Sequence, residues 1–324
     1  MPSHDVMPNM ELYQPVQVED ALEIANRYAD RGWLVGGGQD TYGWLKDRAK
    51  SVDALIDVSA IDELRGNSET GEGIEIGALT TLTEIINSEV IKDKFSLLTE
   101  AASVVASPQI RNIGTIGGNV SQDVRCWYYR RGLSCYRAGG NLCYADTPQG
   151  MNREHALFDT SRCVAAGASD TASALVALDA SMIIRNSSGE QLISAENFFV
   201  GPANDIENTT VLRSGDILVA VRIPNTWAGA NFYWEKVADR NVWDFSLVNI
   251  AAAFKVNGGN ITDSRIVAGA VQTTPRRLLN VENAVQGQPK NERTAQSAMQ
   301  MAANGARALA HNGFKIPLMQ NLVK

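Results

Sequence analysis

Four cysteines, Cys126, Cys135, Cys143 and Cys163, are the only ones in this 324-residue chain, and they share one short segment. Thiolates grouped in this way can hold a metal ion or a cluster. Their spacing is C-x8-C-x7-C-x19-C. It lacks the C-x2-C knuckle of many structural zinc sites, whereas an iron–sulfur cluster accepts thiolates scattered along a loop. Arg125, Arg130, Arg131, Arg137, Arg153 and Arg162 stand in this segment against Asp123, Asp146, Glu154 and Asp159, so it is net positive in a chain of net charge −7. Arginines beside a buried anionic cluster lower the cost of burying it. Trp127, Tyr128, Tyr129, Tyr136, Tyr144 and Phe158 can pack around such a site and exclude water. Reduced core cysteines have no reason to cluster, and disulfides need an oxidising compartment. Zinc stays open. His155 is a possible further ligand, although with four cysteines at hand a loop-packing role is simpler.

Two glycine clusters offer a second chemistry. Val35–Gly36–Gly37–Gly38–Gln39–Asp40, followed by Thr41, comes directly after the apolar run Trp33–Leu34–Val35. Gly114–Thr115–Ile116–Gly117–Gly118–Asn119 adds a hydroxyl and a carboxamide. Glycines permit positive φ and let a phosphate approach backbone amides that donate to it. Neither cluster is a G-x-G-x-x-G fingerprint or a P-loop, and each taken singly reads as a tight turn.

These groups need elements to position them. Residues 18–30 place Val18, Leu22, Ala25 and Ala29 on one helical face, and strands are expected at 33–35 and 54–58, a small βαβ-like unit with a glycine turn at a strand end. A strand at 74–78, helices at 80–88 and 97–105, a helix at 171–180 and strands at 182–185 and 217–223 follow. Beyond Pro224 come strands near 232–238, 249–256 and 263–271 and a helix at 292–310 with Met299, Ala302, Ala303 and Ala306 in its stripe.

Taken together, the motifs resemble the FAD-binding medium subunit of the xanthine dehydrogenase and carbon monoxide dehydrogenase family of molybdenum hydroxylases. The resemblance spans essentially the whole chain. It rests on Val35 to Asp40 (the family more often has Thr in place of Gln39), on Arg111–Asn112–Ile113–Gly114–Thr115–Ile116–Gly117–Gly118–Asn119, and on Ser169–Asp170–Thr171 leading into Ala174–Ala180. It implies that both glycine turns wrap the FAD pyrophosphate and that Asp170 sits near the adenosine or ribityl portion. It further implies that Asp216–Val219 and Lys236 lie in segments lining the flavin, where a cation stabilises anionic reduced flavin. About forty residues, 122–165, separate the second glycine motif from Asp170 and contain every cysteine. This resembles the subgroup with an extra 4Fe–4S insertion, the 4-hydroxybenzoyl-CoA reductase and periplasmic aldehyde oxidoreductase type, and implies Cys126, Cys135, Cys143 and Cys163 as ligands. Gly167 departs from the pattern, since many relatives have His there.

The expected fold is α+β: a split FAD-binding domain with a small α/β subdomain (1–60) and a larger mixed subdomain (61–224), then a C-terminal antiparallel sheet with helices (225–324). The implied function is an electron-transfer subunit, partnered by a molybdopterin-binding large subunit and a 2Fe–2S small subunit, exchanging electrons with an external acceptor or donor. No side chain of this chain is a candidate acid, base or nucleophile. Two alternatives are a stand-alone flavin oxidase or dehydrogenase and a non-catalytic, zinc-bearing assembly module. The acidic balance argues against nucleic-acid partners, and no apolar run reaches the length of a membrane span. Met1–Met10 has neither a basic n-region nor an apolar h-region, so a cytoplasmic location is expected, or a periplasmic one if a partner subunit carries the export signal.

Overall fold

The computed structural model describes residues 7–324; most of the Met1–Met10 segment read above lies outside the described residues. Three sheets succeed one another along the chain. In the first, Ala54–Asp57 lies between Glu11–Tyr13 and Gly32–Val35, all parallel. The helix Val18–Tyr28 packs on it through Val18, Ala21, Leu22 and Ala25. Ala29 does not join this stripe as expected: at φ 48° it breaks the helix, and its side chain is exposed.

The second sheet is antiparallel, in the order Asn67–Thr70, Gly73–Gly77, Ile217–Pro224, Ser181–Asn186, Gly189–Ser194. The chain leaves it after Gly77 and returns at Ser181, and the second glycine motif, all four cysteines and Asp170 lie on that excursion. Its helices pack on the sheet in one core with Ile74, Ile76, Phe95, Leu98, Leu175 and Val221. Thr81 and Glu84 form a reciprocal capping box that starts Leu82–Asn87. The next helix begins at Glu89, not at residue 97, and bends at Phe95, whose φ and ψ are not helical. The buried helix Asp170–Ala177 is capped by Ser169.

The third sheet is antiparallel, Arg276–Arg277, Asn260–Gly269, Val248–Asn257, Asn231–Val237, covered by Leu279–Val285, Glu292–Ala302 and Lys315–Val323. The expected helix 292–310 stops at Ala302; Thr294, Ala298 and Ala302 form its buried stripe, with Met299 only half-buried. The whole is a mixed α+β fold with an antiparallel C-terminal sheet. No helix among the described residues is long and apolar enough to cross a membrane.

Candidate functional site

The parallel strand Gly32–Val35 runs out into the first glycine turn, where Gly37 (φ 93°) and Gly38 (φ 71°) adopt backbone conformations that favour glycine. A Cβ on Gly37 would lie 2.5 Å from the Ile113 carbonyl oxygen, so this turn is pressed against the second. Thr115 joins them: its Oγ1 donates to Gly36 O at 3.1 Å and accepts from the Gly118 amide at 3.1 Å. Gln39 Nε2 closes the first turn onto Gly37 O at 3.1 Å.

Gly36, Gly38, Gln39, Asp40, Thr41, Gly114, Thr115, Gly118, Asn119 and Asp170 all line one cleft of about 440 Å³. An adjoining hollow of about 760 Å³ shares Gly36, Thr115 and Gly118 and adds Gly117, Asp216 and Leu218. The glycine turns therefore stand between two spaces. Both have mixed walls: Val105, Ala106, Ile110, Trp243 and Phe245 with Asp40, Lys50 and Arg130 in one, and Val58, Leu64, Leu79 and Ile217 with Ser214 and Asp216 in the other. That arrangement suits a long ligand that passes the glycine turns at its middle.

Several expected residues serve this cleft from behind. Val35 packs with Leu45, Val52 and Leu55. Val219 is buried with Leu79 and Ile183, and its carbonyl accepts from the Ala78 amide. Asn119 Oδ1 accepts from Ser169 Oγ and Thr171 Oγ1, both at 2.6 Å, which fixes the start of the Asp170 helix. Lys236 Nζ donates to Asp170 Oδ2 (2.7 Å), Val104 O (2.9 Å) and Asp244 O (2.9 Å). All three of its protons have acceptors within the protein.

The four cysteines line a second, small enclosed cavity together with Tyr128, Tyr129, Arg137, Tyr144 and Ala145. Cys126, Cys135 and Cys163 are buried, Cys143 is half-buried, and none is in a disulfide. Burial pushes the Cys126 thiol up to about 12. Cys163 is raised by burial too, with the Arg137 guanidinium opposing. Arg137 is itself buried, and its Nε and Nη2 have no hydrogen-bond partner. His155 Nε2 lies 3.3 Å from Cys126 Sγ while its buried Nδ1 is unpartnered. Burial holds the imidazole down at about 4, so the ring is neutral near pH 7. No three His, Cys, Asp or Glu side chains among the described residues converge as a single metal ion requires.

Residues 8–226 match the family model described as the FAD binding domain in molybdopterin dehydrogenase, and residues 234–324 match the CO dehydrogenase flavoprotein C-terminal domain. The chain belongs to the FAD-binding medium subunits of this family. It is 30% identical over 310 residues to the aldehyde oxidoreductase FAD-binding subunit PaoB of Escherichia coli (94% of this chain, 93% of that one). It is 28% identical over 285 residues to the glyceraldehyde dehydrogenase medium chain of Sulfolobus acidocaldarius (88% and 84%). Its fold matches a chain of carbon monoxide dehydrogenase from Hydrogenophaga pseudoflava with a TM-score of 0.78 at 24% identity, over 98% and 96% of the two chains. The flavoprotein subunit thus binds FAD and serves an oxidoreductase.

In this flavoprotein subunit the departure at Gly167 has a steric cause. A Cβ there would stand 2.6 Å from the Thr273 carbonyl oxygen, and the Gly167 amide donates to Gln272 O at 2.9 Å, so a histidine does not fit this backbone path. Lys50, Asp123, Arg130 and the Trp243–Phe245 turn also line the cleft. They are far apart in sequence and carry no spacing signature. Trp243 (φ 57°) and Ala106 (φ 43°) are both strained, and the Trp243 amide donates to Ala106 O at 2.7 Å.

The C-terminal helix secures the cysteine segment. Lys315, fully buried, donates to Ala270 O (2.7 Å), His155 O (2.9 Å) and Glu154 O (3.3 Å), and Asn312 Nδ2 donates to His155 O and Ala156 O. Burial lowers the lysine from 10.5 to about 7. The unfolded chain then holds a proton that the native lysine has released, so unfolding free energy should rise with pH from about 7 to about 10.4, the ordinary lysine value. The destabilisation is full below the native value and gone above the unfolded one. Denaturation measured from about pH 6 to about 8.5, below the range in which the raised Cys126 and Cys163 thiols contribute the opposite slope, should show the rise in wild type, and Lys315→Met should flatten it.

Proposed function

We propose that this subunit carries FAD in the glycine-lined cleft and a 4Fe–4S cluster on Cys126, Cys135, Cys143 and Cys163, as in the iron–sulfur-bearing subgroup. In that reading it passes electrons between the 2Fe–2S clusters of a small partner subunit and an external acceptor or donor, while substrate chemistry belongs to a molybdopterin-bearing large subunit. The observation that carries the cluster is the grouping of the thiols: all four cysteines of the chain line one small cavity of about 10 Å³, with Arg137 and His155 Nε2 beside them. Four thiols scattered along one loop without a C-x2-C pair suit a cluster better than a structural zinc ion. The partner subunits are supported by relatives named as medium chains.

Bound FAD and a cluster would supply two- and one-electron redox chemistry; the chain's own part is to hold, orient and shield. The glycine turn 36–38 lets the pyrophosphate approach the backbone, the amides of Gly114, Ile116, Gly117 and Gly118 hold the second turn rigid through bonds within the protein, Thr115 locks the turns together, and Asp170 with Lys236 fixes the inner wall. Tyr128 and Tyr144, stacked 6.0 Å apart, shield the cysteine cavity. The chain divides into 1–60, 61–224 and 225–324, one sheet to each, and works in the cytoplasm, or in the periplasm if a partner subunit carries the export signal.

The complex, purified through a tag on this chain, should show flavin bands with a broad iron–sulfur shoulder and about four irons at this site beyond those of the small subunit. Cys126→Ser should lose that iron and keep flavin. A variant with full iron content and full turnover with every acceptor, or stoichiometric zinc in the wild type, sinks the cluster. Turnover of an organic substrate by this chain alone would favour the stand-alone flavin enzyme instead.

A further inference from the structure

The cleft and the cysteine cavity share a wall one residue thick. Tyr129 lines the cavity and its neighbour Arg130 lines the cleft; Arg137 lines the cavity and Asp123, 3.6 Å away, lines the cleft. Tyr129 and Arg130 belong to the short helix Trp127–Arg130, which starts directly after Cys126.

On its cleft side this wall carries charge that the glycine turn needs. Asp40 puts a carboxylate at the end of the first turn, where an anionic pyrophosphate would be repelled by it. Arg130 is ion-paired to Asp40 Oδ1. Its guanidinium lies 4.2 Å over the ring of Trp44, whose indole Nε1 donates to Asp40 Oδ2 at 2.9 Å. Both carboxylate oxygens are thereby held and the charge is balanced. Trp44, 1% exposed, packs on Tyr129 with ring centroids 5.0 Å apart. The second carboxylate in this wall, Asp123, is balanced by Lys50 Nζ at 2.5 Å and by Arg137.

We infer that the cysteine-bearing segment completes the FAD site: its Arg130 is a positioning residue that neutralises Asp40 of the first turn, and Lys50, facing it from the first subdomain, neutralises the segment's Asp123, so that the glycine turn accepts a pyrophosphate. The segment is therefore a brace for the cleft as well as a holder of its own group. The inference rests on FAD occupying the cleft and is independent of what the cysteines bind.

The test uses the purified complex, stripped of flavin and re-titrated with FAD, with binding followed by flavin fluorescence and iron content measured alongside. Arg130→Gln should weaken FAD binding by up to about fivefold, as expected when a partly exposed ion pair loses its cation. Arg130→Lys should stay near wild type. Salt should recover part of the loss by screening the bared Asp40, and adding Asp40→Asn to Arg130→Gln should recover more. Equal affinity of wild type and Arg130→Gln overturns the inference, as does a double variant that binds no better than Arg130→Gln. Should Arg130→Gln not fold, Lys50→Gln carries the same test through Asp123, with the same two readings. A wild-type complex that takes up no FAD would instead remove the assignment of the cleft, which is a separate failure.

Discussion

Gly37→Ala is expected to weaken FAD binding by roughly 10- to 100-fold, equivalent to about 1.4–2.8 kcal/mol. Two costs coincide at this position. Alanine at φ 93° is strained by about 1–2 kcal/mol. Its methyl would also stand 2.5 Å from Ile113 O, a backbone atom that cannot rotate away. The turns must separate, and the separation falls on the contact between Thr115 and Gly36 that sets the cradle. Gly43→Ala is the matched control, because a Cβ there meets nothing within 4 Å and the residue lies in the helix Thr41–Lys46. That change should leave FAD affinity unaltered and be neutral or slightly stabilising. Fluorescence titration of both variants settles the comparison: if Gly37→Ala binds FAD as tightly as Gly43→Ala, the glycine is not serving the cradle.

The legible parts of this chain were those in which local chemistry and position coincide. Strands such as Gly73–Gly77 and Val248–Asn257 are read from runs of β-branched and apolar residues, and the two glycine motifs are read from glycine itself. The hairpin partner Gly189–Ser194 was not legible, because its side chains are nearly all exposed and it has no apolar pattern. Asn67–Thr70, exposed throughout, was hidden for the same reason. Lys315–Val323 escaped because a lysine at a helix start reads as a solvated residue, whereas here it is fully buried against three carbonyls. The cysteines and glycines stand out by type and spacing, and the fold gathers the cysteines around one small cavity and sets the two glycine turns against each other. Lys50, Asp123, Arg130 and Trp243 reach the cleft only through tertiary packing, which no spacing rule encodes. The resemblance implies Lys236 as a cation lining the flavin; in the fold its ammonium donates to Asp170, Val104 and Asp244.

That geometry sets the second large expectation. Asp170 and Lys236 form an ion pair with side-chain exposures of only 5% and 8%. The carboxylate also accepts from Ser246 Oγ at 2.5 Å and Asn249 Nδ2 at 3.0 Å. Removing one partner from such a pair leaves an uncompensated buried charge, which costs about 3–5 kcal/mol. Lys236→Met and Asp170→Asn should therefore each lower the unfolding free energy by about 3 kcal/mol, and the double variant should lose clearly less than the sum. Lys236 also holds the Asp244 carbonyl, and Asp244 sits between Trp243 and Phe245 on the cleft wall. Loss of the lysine should then loosen that wall, so FAD release quickens as stability falls. A lysine acting directly on the flavin would behave differently: Lys236→Met would shift the flavin midpoint potential while leaving stability and FAD retention intact. Denaturant titration, FAD release rates and potentiometry on the same three variants separate the two roles. Concerted loss of stability and FAD identifies Lys236 as the residue that fixes Asp170 and the Asp244 turn against the cleft.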